Sequence, residues 1–180
     1  MFTPTLSPQR LSSLNDDTDT IRTVVFSLAD IEHTSMAKYR FAFPVAAVEK
    51  AIVYPVDRPT LTDGIGMMNL GDQTLTIVDL RQKFTTIAPD RDSSKFLILF
   101  HTQLGEFCGL PIQDAPVLLD IDSATIRSIP LAYREVNQLS FTSHMAIVPQ
   151  ENGREPLQIL LLGLNQLQAQ LSGSPTNHLN

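Results

Sequence analysis

Apolar residues in this chain fall in short, frequent runs separated by Pro, Gly, Asn and Asp, and the dominant period is that of strands rather than helices. Thr23 to Leu28 is a β-branched and aromatic run. In Tyr39 to Val45, Phe41 and Phe43 alternate with Arg40 and Ala42. Phe96 to Phe100 is continuously apolar, the pattern of a strand buried on both faces, and Phe107 to Ile112 follows it. Two tight-turn signals stand between apolar runs. Gly71-Asp72 separates a strand ending in Asn69-Leu70 from Thr74 to Val78, and Asn152-Gly153 separates Met145 to Val148 from Leu157 to Leu162. Helical patterning is confined to a short stretch, Ala46 to Ile52, and to Leu164 to Leu171, where Leu164, Leu167 and Leu171 share one face.

The strands also repeat. Phe41-Ala42-Phe43-Pro44-Val45 matches Cys108-Gly109-Leu110-Pro111-Ile112, an offset of 67 residues. Each unit follows a strongly apolar strand and precedes a turn-bearing hairpin. A fainter echo sets Ile77-Val78-Asp79-Leu80 against Leu161-Leu162-Gly163-Leu164. Two half-repeats predict two similar subdomains that complete each other's burial.

The run from Gly64 to Phe84, with its Asn69-Leu70, its tight turn and its Val78-Asp79-Leu80-Arg81, resembles the hairpin of CheW-like domains, Gly-x-Ile-Asn-Leu-Arg-Gly-x-Val-Ile-Pro-Val-Val-Asp-Leu-Arg. Asn69, Leu70, Val78, Asp79, Leu80 and Arg81 fall on the family's positions without a gap. The resemblance implies a mostly β fold of two five-stranded, SH3-like β-barrel subdomains packed around a shared core, with short helices. It also implies a non-catalytic adaptor in the cytoplasm, peripheral to receptor arrays. Its partners would be the regulatory domain of a CheA-type histidine kinase and the cytoplasmic tip of a chemoreceptor or taxis receptor. The chain departs from the pattern at the turn, where Gly71-Asp72 replaces Arg-Gly. In the family that arginine is associated with partner contacts and with a salt bridge to a helix glutamate, for which Glu49 is the candidate here. The departure supports an alternative, a divergent scaffold serving twitching motility, phototaxis or another signalling partner. The resemblance places partner contacts in an apolar groove, for which Val45, Val48, Ile52, Met68 and Leu70 are the candidates, with Glu49, Asp79 and Arg81 as polar contacts. Adjacent strand residues face opposite sides, so one of Met67 and Met68 points inward and the other to the groove or a partner.

Composition bounds the rest. The chain has 180 residues, a mean hydropathy of +0.02 and no apolar run long enough to span a bilayer. The N-terminus lacks the basic and apolar regions of a signal peptide. Residues 1–20 and 172–180 are rich in Ser, Thr, Pro and Asn and read as mobile arms around a body at 21–171. The net charge of −6, with 13 basic residues scattered, argues against a nucleic-acid partner. His33, His101, His144 and His178 are dispersed, and the acidic cluster Asp16, Asp17 and Asp19 has no calcium-loop pattern, so no metal or cofactor is expected. The single cysteine, Cys108, lies inside an apolar strand and is read as a small buried hydrophobe rather than a nucleophile. Gly64-Ile65-Gly66 lacks the remainder of a phosphate loop and is read as backbone freedom at a strand start. Asp79 is read as a strand-end cap, and Arg81 and Lys83 as solvated or partner-facing.

Overall fold

A computed structural model describes residues 19–171, and the two arms read from the sequence lie almost entirely outside the described residues. The first half of the body holds β1 (Thr20–Phe26), β2 (Tyr39–Pro44), β3 (Lys50–Val53), β4 (Ile65–Leu70) and β5 (Gln73–Val78). The second holds β6 (Phe96–His101), β7 (Phe107–Ile112), β8 (Val117–Asp122), β9 (Ile126–Ser128), a short helix α1 (Leu131–Val136), β10 (Thr142–Val148), β11 (Leu157–Leu162) and the helix α2 (Leu164–Leu171).

The strands form two sheets of the same plan. One runs β8-β1-β2-β11-β10-β9 and the other β3-β6-β7-β5-β4. Each half of the chain therefore gives its first antiparallel pair to one sheet and its hairpin to the other. We call the first the terminal barrel and the second, built from β3 to β7, the central barrel. The terminal sheet counts six strands because one is broken. β8 and β9 are two parts of a single bent segment, split by a 3-10 turn at Ser123–Thr125, that pairs with β1 at one edge and with β10 at the other. The parallel pairings place the sequence echoes on equivalent sites. Ile77 lies opposite Gly109 in the central barrel, and Leu161 lies opposite Ala42 in the terminal one.

Alternation along the strands divides the apolar residues among three cores, which is the physical content of the repeat. Phe41 and Phe43 of β2, and Cys108 and Leu110 of β7, all point into the core shared by the two barrels. Ring centroids of Phe43 and Phe100 lie 5.3 Å apart across that interface. The small residue between each pair faces its own barrel, Ala42 beside Val25, Ile121 and Ile159, and Gly109 beside Leu75, Ile77 and Leu99. β6 shows the same division, with Ile98 and Phe100 in the shared core and Leu97 and Leu99 inside the central barrel, all four fully buried. Burial of each such side chain contributes about 1.5–3 kcal/mol.

One expected element is absent. Ala46 to Ile52 is not a helix: Val45–Ala47 forms a single 3-10 turn after Pro44, and Lys50–Val53 is an edge strand paired with β6, Lys50 opposite Leu99. The run Ala51-Ile52-Val53 is short and partly β-branched, and an unpaired edge of β6 is available to satisfy its backbone, so the sheet overrides a weak helical pattern. The α2 helix occupies the expected residues, with Leu167 fully buried in the shared core.

Candidate functional site

The Gly64–Phe84 segment builds the best-defined polar centre of the molecule. β4 and β5 pair from Ile65↔Val78 to Leu70↔Gln73, closing on Gly71-Asp72. Gly71 has φ +62 while Asp72 does not have positive φ, so the first turn residue is the one that needs glycine. At the other end, Gly64 has φ +81, and a Cβ there would lie 2.7 Å from the Asp79 carbonyl oxygen. That close approach lets the Asp79 N–H donate to the Gly64 carbonyl at 2.7 Å and fixes the point where β5 ends.

Asp79 then caps the 3-10 turn Leu80–Lys83, its carboxylate accepting the Arg81 backbone N–H at 3.0 Å. The Arg81 guanidinium folds back on the same carboxylate, Nε to Oδ1 at 2.9 Å and Nη2 to Oδ2 at 2.7 Å. Its Nη1 donates to Asp30 at 3.2 Å, to the Ser93 hydroxyl at 2.6 Å and to the Asp90 carbonyl at 3.2 Å. Ser93 also donates to Asp30. One arginine thus ties the β5 end to the β1–β2 loop and to the 85–95 loop. The cap expected of Asp79 is present. Arg81 is neither solvated nor at the surface: its side chain and that of Asp79 are 3 % and 1 % exposed. With Nε, both Nη1 protons and one Nη2 proton engaged inside the fold, and both side chains almost wholly buried, the pair presents little surface to a partner. Asp30, Asp90 and Ser93 carried no sequence signal, because they lie in loops far from Arg81 in the chain.

The apolar candidates separate into two places. Val45 and Val48 are half-buried against the shared core, at the seam of the barrels. Ile52, Met68 and Leu70 pack together on the interior of the central barrel instead. Met68, assigned to the groove from sequence, is 8 % exposed, and its neighbour Met67 is the outward one at 68 %. Strand parity decides this, since Met68 lies opposite Leu75, which is fully buried. Glu49 is exposed just ahead of β3, outside any helix, and its carboxylate lies 3.3 Å from His101 Nδ1. His101 in turn stacks on Phe107 with ring centroids 4.9 Å apart. In a chain without the turn arginine, this histidine is the group that Glu49 meets.

Cys108 is buried in the shared core, and burial, with Glu106 adding to it, pushes its thiol up to about 11. A neutral thiol packed among Phe and Leu side chains is a poor nucleophile. Among the described residues no three His, Cys, Asp or Glu side chains come together as a metal cage, and no helix is long and apolar enough to cross a membrane. His178, Asp16 and Asp17 lie outside the described residues.

With this geometry in hand, comparison with known proteins is direct. A profile of the CheW-like domain matches residues 24–170. Among solved structures, the scaffolding protein TtCheW from Thermoanaerobacter tengcongensis superposes with a TM-score of 0.59 at 21 % identity, covering 82 % of this chain and 92 % of that one. No curated protein sequence matches the chain.

Proposed function

Since the chain belongs to the CheW-like domain family, we propose that it is a non-catalytic cytoplasmic adaptor that holds the tip of a chemotaxis-type receptor beside the regulatory domain of a CheA-type kinase. The observation that carries this reading is the extent of the family match, which takes in both barrels and their shared core. A chemotaxis-type scaffold works by position: a rigid body presents two surfaces, and receptor state biases the kinase through them. The intertwined topology suits that task, because neither barrel has its complete strand set without the other half of the chain.

The proposed contact surface is the β3 side of the central barrel and the adjoining seam. Val45 and Val48 supply half-buried apolar area, Glu49 a charge, and the exposed Val53 an apolar rim. A second reading has a specific observation behind it. Gly71-Asp72 replaces Arg-Gly, and Glu49 meets His101, so the polar pattern that a conventional partner would read is altered. On that reading the protein is a scaffold for twitching motility, phototaxis or another signalling pathway.

Calorimetry with a receptor-tip bundle and a kinase regulatory domain, each titrated separately, tests both. Val48→Glu and Val53→Glu place an unpaired charge in the contact and are expected to cost about 2–5 kcal/mol of binding. Met68→Glu serves as the folding control, because it buries a carboxylate inside the central barrel. Wild-type binding that survives Val48→Glu and Val53→Glu unchanged refutes the surface. Absence of binding to either partner transfers the role to the divergent scaffold.

A further inference from the structure

A cavity of about 170 Å³ opens beside Tyr54, walled by Pro59, Leu61 and Pro89 and lined by Arg58, Arg91 and the Asp79–Arg81 pair. Its charge is unusual for this chain. The Arg81 guanidinium is matched by Asp79, but Arg58 and Arg91 bring two further cations to the same space, in a protein of net charge −6. Both are held in place before any ligand arrives. The Arg58 guanidinium sits over the Tyr54 ring, 4.5 Å from its centroid. Arg91 Nη2 donates to the backbone carbonyls of Arg58 at 2.5 Å and Pro59 at 2.9 Å, which fixes the second guanidinium against the first loop and uses only that nitrogen.

Arg58 is under-satisfied. Its side chain is 14 % exposed, and its Nη1 is buried with no hydrogen-bond partner among the described residues. The Asp92 carboxylate lies 3.5 Å from that same Nη1, a loose ion pair whose acid is 89 % exposed, and the other carboxylate at the cavity, Asp79, is taken by Arg81. A buried guanidinium nitrogen without an acceptor is costly, and an anion in the cavity would satisfy it. Tyr54 reports the same crowding: burial raises its phenol, and Arg58, Asp79, Arg81 and Arg91 all act on it electrostatically.

We propose that this cavity is an oxyanion-binding site in which Arg58, backed by the Tyr54 ring, and Arg91 clamp a phosphate or carboxylate group. Planar guanidinium forks match both oxyanions, and Pro59, Leu61 and Pro89 give part of the site an apolar wall that strengthens the charge pairing. The site lies at the foot of the clasp made by Arg81, so an occupant would bear on the 85–95 loop that carries Arg91 and Ser93. Two sources share this chemistry: a free phosphoryl compound, and an acidic side chain presented by a bound protein.

The test uses the full chain and two probes, inorganic phosphate and acetate, each followed by thermal shift and by NMR of the arginine Nε–H signals against chloride of equal ionic strength. The expected result is a saturable shift of the Arg58 and Arg91 signals with a rise in melting temperature. Arg58→Gln should weaken the response by about tenfold or more, the loss expected of one charge-assisted hydrogen bond. That variant also gives up the cation–π contact with Tyr54 and the ion pair with Asp92, so its response is read as the saturable shift of the remaining Arg91 signal relative to its own unliganded state. Arg91→Gln should weaken binding similarly but loosen the 58–59 backbone as well. Preference for phosphate identifies a phosphoryl ligand, and preference for acetate an acidic side chain. Shifts no larger than those with chloride, or shifts that Arg58→Gln leaves intact, would overturn the proposal.

Discussion

The two barrels end their last strands in the same way and then diverge. After β5 the Asp79 N–H donates to Gly64, and after β11 the Gly163 N–H donates to Phe141, equivalent backbone bonds at equivalent places. Beyond that point the first junction is polar and the second apolar. Asp79 and Arg81 form a buried clasp that recruits two loops through Asp30, Ser93 and Asp90. The second junction has Gly163 and Asn165 at the matching positions, and α2 carries Leu167 into the shared core. At Gly163 a Cβ would fall 1.8 Å from the Gln166 side-chain oxygen, so a larger residue there would have to displace the end of that flexible side chain. The difference shows what the Asp-Leu-Arg run does in this protein. It substitutes for a helix: where α2 anchors the chain by apolar burial, the shorter 3-10 turn anchors it by a charge pair.

If so, Arg81→Ala should cost about 3–5 kcal/mol, because it leaves the Asp79 carboxylate buried and unpaired. Urea denaturation measures it. The pair Asp79→Asn with Arg81→Met should lose less than the sum of its parts, since no lone charge remains. Additive losses would show that the two side chains act separately and that the clasp is not a unit.

A second contrast lies between the small residues that face each barrel's interior. Gly109 is the tighter site: a Cβ there would approach Leu75 Cδ1 to 2.7 Å and Ile77 Cδ1 to 3.1 Å. Gly109→Ala should therefore destabilise by about 1–3 kcal/mol through overpacking, although alanine is the natural residue at the equivalent Ala42. A neutral or stabilising result would mean that the central barrel can expand to the terminal barrel's packing.

Cys108 sharpens the comparison at the shared core, where it stands at the position of Phe41. The folded state holds the thiol neutral up to about 11, above the ordinary 9.0. A raised acid favours the folded state's neutral form, so stability is unaffected below the unfolded value and falls as pH rises from 9.0 towards about 11. The slope should reach at most about 1.4 kcal/mol per pH unit, absent in Cys108→Ala. A thiol reagent at pH 8 should label the protein only when denaturant unfolds it. Rapid labelling of the native state would mean that the thiol is reachable.

Much of this was legible in the chain and some was not, for definite reasons. The strands Phe107–Ile112 and Leu157–Leu162 and the helix Leu164–Leu171 stand where their periodicity put them, because each buries a complete face. The large–small–large repeat around Ala42 and Gly109 follows from three separate cores fed by alternate residues. β3 was misread because a few half-buried residues at a sheet edge have no period of their own. β8 and β9 escaped notice because their exposed Val117 and Leu118 break alternation. At the site, the cap by Asp79 could be read locally. Arg81's burial could not, since three of its partners come from distant loops. Met67 and Met68 could be separated only once the pairing of Met68 with Leu75 fixed the strand's parity.

The smallest effect is expected at the apolar junction, and it completes the comparison. Asn165 occupies the place of Arg81, yet it is exposed in the first turn of α2, and the anchor there is Leu167, about half a turn away on the buried side. Asn165→Ala should change stability by less than about 0.5 kcal/mol, as surface changes away from caps and networks do. Leu167→Ala in the same helix should cost about 2–5 kcal/mol, because it empties space in the shared core. Parallel urea titrations of the two variants decide between the anchors. If Asn165→Ala were the costlier, the second junction would rest on polar contacts like the first, and the substitution of a helix for a charge pair would be the wrong account of why the repeat lost its aspartate and arginine.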